Sequence, residues 1–285
     1  MKTILLLFSL ILSLITCAQG PRFKIRNFVT KLDTTEFKPD GPRENGLVRT
    51  YIEVDTKVFD VDDDKTGIVT FDTHALMYIE GNLKDGKKNG ICRQYLIDAA
   101  NHKKRYLVAE QTLENDKLNG PWKIYNLKGR LARLINYSND SLNGKCQEYW
   151  IDGKTLMHED EFFNGRDRFI SREYKYGKLV NESLVVKQDT IEVKEFYETG
   201  VLKDKNSIKN GMRDGLRIYY YPDGKPWIEM IYKENKPWTV VNNYDSKGNK
   251  RNGGTLKDGA GTVIYYSDDT TVRETLTYRN GLEQR

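Results

Sequence analysis

His158, Glu159, Asp160 and Glu161 stand together as HEDE, an imidazole and three carboxylates that supply the donor types of a divalent-cation site. In an extended chain side chains alternate between faces, so the tetrad splits into two pairs and no metal is expected there. DVDDDKTG, residues 60–67, places Asp62, Asp64 and Thr66 in the alternation of a calcium loop ahead of Gly67. Such a loop needs a bidentate glutamate at its twelfth position, where this chain has Thr73, and the flanks are strand-like, so the stretch reads as a solvated turn. Catalytic chemistry finds no foothold. His74, His102 and His158 belong to no zinc-protease motif, no GxSxG elbow or phosphate loop occurs, and no carboxylate pair stands out as acid and base. The expectation is a non-enzyme without metal or cofactor.

The elements that would position any such residues follow from a repeat. Aromatics recur at Tyr95, Tyr125, Tyr149, Tyr174, Phe196, Tyr220, Tyr244 and Tyr266, spaced 22 to 30 residues apart. Five residues before this anchor stand Gly90, Gly120, Gly144, Gly215 and Gly261, with Phe169, Ile191 and Thr239 in the remaining copies. Four residues after it come Gly129, Gly153, Gly200, Gly224 and Gly248, and an apolar column lies twelve before it. Several columns in one register define a tandem repeat of about 24 residues. Two short strands and two turns fit each unit, so each unit is a β-hairpin, with Asn89-Gly90, Asn119-Gly120, Asn143-Gly144 and Asp214-Gly215 at one turn and Asp152-Gly153 and Asp223-Gly224 at the other. Lone hairpins are marginal in water, so neighbours must stack. The composition agrees: 38% of residues are apolar, 31% are charged, and 18 Tyr and 23 Gly stand against 7 Pro. The expected fold is all-β, an elongated open antiparallel sheet of about eight hairpins over residues 67–285, preceded by a linker or cap at 19–66 in which ENGLVRTY, residues 44–51, is a degenerate copy.

NGMRDGLRIYYYPDGK (210–225), NDKLNGPWKIYNLKGR (115–130) and NDSLNGKCQEYWIDGK (139–154) resemble the bacterial variant of the MORN repeat. Similar repeats name a YwqK-type antitoxin family. The resemblance covers roughly residues 80–285 and is specific for architecture but weak for function. It implies a hairpin per repeat stacked into a long sheet.

Alternation puts the residues two before each anchor on the anchor's face: Arg93, Lys123, Gln147, Arg172, Lys194, Ile218, Asn242 and Ile264. This column is basic in its first half and open to an acidic partner, or is plain solvated decoration. The residues three before, among them Cys92, Trp122, Cys146 and Val263, take the other face. Neither face is clean core, so cross-strand ladders should hold a thin sheet. Trp150, Tyr219, Tyr221 and Tyr265 flank anchors and point away from the anchor ladder, while Trp227 and Trp238 sit off the shared columns. These six are the candidate partner-binding residues, against the plainer reading that they pack on adjacent strands.

Lys2 followed by an apolar run from Ile4 to Ile15 and small residues has the pattern of an export signal over residues 1–18, and Leu14-Ile15-Thr16-Cys17 also resembles a lipobox, making Cys17 the candidate lipidation site. Together these observations set the expectation of a monomeric exported protein in the periplasm, at the outer membrane or secreted. It would engage an unidentified protein partner and no nucleic acid, with a membrane tether through Cys17 if that residue is retained. An interaction scaffold, an antitoxin-like neutraliser and a glycan-binding envelope protein are the competing roles.

Overall fold

The computed structural model describes residues 45–61, 68–97, 103–267 and 269–284. The signal-like segment with Cys17, the acidic stretch 62–67 and His102 lie outside them. Among the described residues the structure is strand and turn without helix. Sixteen strands form one open antiparallel sheet and pair in sequence order, and three more form a second sheet, so the fold is all-β and built of tandem hairpins. The chain divides into two compact units, residues 1–156 and 157–285.

The first unit contains β1 (Gly46–Val61), β2 (Ile68–Lys84), β3 (Lys87–Ile97), β4 (Arg105–Glu114), β5 (Lys117–Tyr125), β6 (Leu131–Ser138), β7 (Ser141–Leu142) and β8 (Gly144–Tyr149). Residues 46–61, placed by sequence in the N-terminal segment, are thus a strand, paired along their whole length with β2.

The hairpins have two kinds of end. After five of the anchors a glycine N–H closes a four-residue turn, as from Gly129 to the Asn126 carbonyl at 2.8 Å, Gly224 to Tyr221 at 2.9 Å and Gly248 to Asp245 at 3.0 Å. The turns expected at Asp152-Gly153 and Asp223-Gly224 are of this kind. At the other end the turn is two residues long with positive φ at both, as at Asn115-Asp116, Asn139-Asp140 and Glu234-Asn235, the geometry that suits the twist of paired strands. The glycines five before the anchor do not make this turn. Asn119-Gly120 lies inside β5, where residues 119–121 face Thr112 alone between the pairs Leu113↔Leu118 and Gln111↔Trp122. This is a β-bulge, and a Cβ on Gly120 would approach Thr112 to 3.2 Å. Asn89-Gly90 and Asp214-Gly215 behave alike, because both sit inside strands beside a register shift. Copies with Ile191 or Thr239 in that column still turn, at Lys187-Gln188 and Glu234-Asn235.

The second residue of these short turns reaches across to the preceding copy. Asp116 accepts the Lys88 N–H at 2.8 Å and returns its own N–H to the Lys88 carbonyl at 3.0 Å. Asp140 repeats this with Leu118 at 2.7 and 2.9 Å, and Asn235 with Arg213 at 2.8 and 2.9 Å. These neighbouring hairpins are therefore stapled at one edge as well as paired along their strands.

The second unit continues with β9 (Leu156–Phe162), β10 (Arg168–Lys175), β11 (Lys178–Val186), β12 (Asp189–Phe196), β13 (Leu202–Lys209), β14 (Met212–Tyr220), β15 (Pro226–Lys233) and β16 (Lys236–Asn243). The strand expected to return beside β16 is missing. Residues 250–260 make only isolated bridges, and the chain then forms the separate sheet β17 (Gly261–Tyr266), β18 (Val272–Arg279) and β19 (Leu282–Gln284). Leu256, Val263 and Tyr278 pack on Ile228, Met230 and Tyr232 of β15, making a true hydrophobic core at this end of the unit. The expectation of a thin sheet throughout is corrected here. Gly253-Gly254 allows the turn between sheets: Gly254 has φ +105°, and a Cβ there would fall 2.1 Å from the Thr262 carbonyl oxygen. Gly254→Ala should therefore lower unfolding stability by at least about 2 kcal/mol, read by urea titration. Gly248→Ala, at φ +91° but with open space around it, should cost about 1 kcal/mol; equal losses would contradict this role for the Gly254 corner.

Candidate interaction surface

The anchor face carries alternating charge. In the first unit the register aligns Arg49, Glu80, Arg93, Glu110 and Lys123 across five successive strands. Arg93 Nε donates to Glu110 at 2.9 Å, and the anchors join in: Tyr95 donates its hydroxyl to Glu80 at 3.2 Å and Tyr125 to Glu110 at 2.8 Å. Burial raises the Tyr125 hydroxyl first and the Glu110 carboxylate adds to it, taking the pKa to about 12. Burial pushes the Glu110 pKa up, but hydrogen bonds from Tyr125 and Arg93 outweigh it and the net shift is down.

The second unit repeats the alternation as far as Lys194. Glu159, Arg172, Glu182, Lys194 and Lys205 follow one another across β9 to β13. Arg172 binds Glu159 at 2.9 Å, Glu161 at 2.8 Å and Glu182 at 2.8 Å, and Lys194 binds Glu182 at 2.7 Å. Lys205 reaches Glu192 at 2.9 Å. Arg93, Arg172 and Lys194 of the column read as open to an acidic partner are bound by the chain's own carboxylates, and Lys123 stands opposite Glu110. The return strands supply these acids.

The ladder breaks at Ile218. It lies between Lys205 and Glu229 in the register, and Leu216 of the same strand pairs with Ile231. Leu216 is 39% exposed; Ile218, Tyr220 and Ile231 are half-buried. Tyr220 belongs to this face, where Lys205 and Glu229 influence its hydroxyl, although burial is the main cause of its raised pKa. Glu229 has the Asn242 amide at 2.5 Å as partner and no cation among the described residues. Ile218 stood in the anchor-face column by sequence; its isolation among charges appears only with the register.

On the opposite face the first unit buries Gln111, Trp122, Ile135 and Cys146. Cys92 and Cys146 are not joined in a disulfide, and burial pushes the Cys92 thiol up to about 11. Both amide atoms of Gln111 and the Trp122 Nε1 are buried without a hydrogen-bond partner. In the second unit Arg217 and Asp204 form a buried pair at 2.6 Å on this face.

The structure brings four of the six candidate aromatics together. Trp227 has the rings of Tyr219, Tyr221 and Tyr265 at 6.1, 6.1 and 6.4 Å, and Tyr219, Trp227 and Tyr265 border the core between the two sheets. Tyr221 donates to the Tyr244 carbonyl at 2.8 Å and accepts from Arg251 at 2.9 Å. Trp238 covers Gly259, whose Cβ would meet its ring at 2.7 Å, and Lys233 stacks on it at 4.8 Å. Trp150 belongs to the first unit, in the turn after β8, and is 39% exposed. The HEDE tetrad divides as alternation requires: His158 meets Asp160 at 2.9 Å, while Glu159 and Glu161 hold Arg172 on the anchor face.

Residues 213–234, which contain the ladder break, match the MORN repeat variant family. That match supports a MORN-repeat protein. MORN repeats are in general protein- and membrane-interaction repeats, and the family is in general non-enzymatic. No curated protein matches the chain.

Glu182 shows the pH consequence of the ladder. Its burial raises the pKa, but Lys194 and Arg172 carry it below the ordinary 4.5. A depressed carboxylate contributes stability that is present above its unfolded pKa and lost as pH falls through the folded one. Wild-type stability should thus decline as pH is lowered below about 4.5, and Glu182→Gln should be less stable near neutrality by about 1 kcal/mol and flatter across that window. Parallel pH profiles for the two proteins would contradict the pairing.

Proposed function

We propose that this protein is an exported, non-enzymatic scaffold or adaptor of the bacterial cell envelope that binds a protein partner through the anchor face of its hairpin sheet. The observation that carries this reading is the apolar break of Leu216, Ile218, Tyr220 and Ile231 within the matched repeat, flanked by Lys205 and Glu229. An apolar centre with a charged rim is the anatomy of a protein interface, and a buried aliphatic anchor contributes more there than a screened surface charge. Where the ladder is paired, as at Arg93–Glu110 and Arg172–Glu182, its charges already neutralise each other and offer a partner little. The export component rests on the signal-like pattern of residues 1–18.

Residues 19–285, used as bait on the native envelope fraction at physiological salt, should retain a near-stoichiometric protein. Ile218→Gln, which makes the position polar without setting a second cation opposite Lys205, should keep the fold and lose at least about tenfold in affinity, since truncating or reversing a central apolar anchor costs about 2 kcal/mol. Leu216→Asp should do likewise. Retention of the same partner by both folded variants would remove the apolar break from the function, and the partner's identity distinguishes a scaffold from a neutraliser of a toxin.

A further inference from the structure

The apolar break has a direction that the paired stretches of the ladder lack. Across β13, β14 and β15 the register sets Lys205, Ile218 and Glu229 in one row, so a cation, an aliphatic centre and an acid follow one another at the spacing of neighbouring strands, about 4.8 Å. Leu216 and Ile231 form the next row, and Tyr220 stands on the other side of Ile218 along β14. Lys205 and Glu229 are both half-buried and unequally satisfied within the chain. Lys205 has Glu192 at 2.9 Å, whereas Glu229 has the Asn242 amide and, among the described residues, no cation.

A protein surface that fills the break has to bring an apolar centre, a cation on the Glu229 side and an acid on the Lys205 side. The patch itself meets that requirement. Two copies stacked face to face about a twofold axis along β14 lay Ile218 on Ile218 and Leu216 on Leu216, and carry β13 of one copy over β15 of the other. Lys205 of each copy then stands opposite Glu229 of the other, so the contact is self-complementary and the ion pair occurs twice. Packed sheets lie about 10 Å apart with their strands roughly aligned, a gap that a lysine and a glutamate span together. An axis across the strands would instead set Lys205 on Lys205 and Glu229 on Glu229, so the charge order selects the axis along β14.

We propose that the occupant of the apolar break is a second copy of this chain, seated in that arrangement. The inference rests on the reading of the break as a protein interface and names its partner; it departs from the monomer expected from sequence. Four apolar side chains per copy and two ion pairs lie at the low end of interface size, so the dimer is weak and reversible, with a dissociation constant on the order of 10–100 µM.

Sedimentation velocity on the full chain follows the equilibrium directly, and wild type is expected to pass from monomer to dimer across that range. Ile218→Gln should weaken the dimer at least about tenfold, as should Lys205→Glu and Glu229→Lys, each of which sets like charges against each other at both flanks. In an equimolar mixture of Lys205→Glu and Glu229→Lys chains opposite charges meet again at both flanks, and the dimer should return to within about threefold of wild type. Recovery by mixing two deficient chains is a result that neither misfolding nor net charge produces. A wild type still monomeric at about 300 µM, association that none of the three changes moves, or a mixture that stays monomeric would each overturn the proposal. The underlying reading is judged apart from it. Monomeric wild type with an envelope partner lost on Ile218→Gln would remove the second copy and leave the break an interface, whereas a dimer restored by mixing, beside an envelope partner of another sequence kept by Ile218→Gln, would leave the dimer and remove the break from binding that partner.

Discussion

An open sheet has to hold its strands together without a second layer along most of its length, and here cross-strand ion pairs and tyrosine hydroxyls contribute to this. Glu110, Glu159 and Glu182 of the return strands each bind a cation, and Glu80 and Glu110 accept a tyrosine hydroxyl from a neighbouring strand. Arg172 is the extreme case, 17% exposed and bound by three carboxylates. Partial burial matters: fully exposed pairs contribute little, whereas hydrogen bonds to charged groups shielded by neighbouring tyrosines contribute more. The opposite face adds apolar contact through Trp122, Ile135 and Cys146, and the short-turn staples fix the edge.

A ladder of this kind has no natural stopping point, because the last strand would present an open edge. The second unit stops by changing its physics. Gly253-Gly254 turns the chain out of the sheet, and Leu256, Val263 and Tyr278 cover Ile228, Met230 and Tyr232. Candidate aromatics Tyr219, Trp227 and Tyr265 are drawn into that boundary, which accounts for the aromatic richness of the last copies without a ligand.

The period, the anchor column and the hairpin per unit were legible in the sequence because they rest on periodic side-chain types. The position of the short turn was not: Asn119-Gly120 has the chemistry of a turn, yet a bulge demands the same positive φ, and the pair Asn115-Asp116 four residues earlier makes the turn. The partners of Arg93 and Arg172 were hidden for a related reason. Hairpin connections differ in length, so the facing acids Glu110 and Glu182 lie at separations of 17 and 10 residues, and no constant spacing announces them. The end of the sheet had a visible sign in Gly253-Gly254, two residues poor for a strand, but sequence alone did not show that a new sheet would follow.

The account stands on the claim that the charges of the anchor face bind one another. A double-mutant cycle on Arg172→Met and Glu182→Gln, by urea titration at low and high salt, measures that coupling directly. The account predicts about 1 kcal/mol or more, largely kept at high salt because both side chains are 17% exposed. Coupling indistinguishable from zero would mean that the ladder is decoration and that the sheet is held by other means.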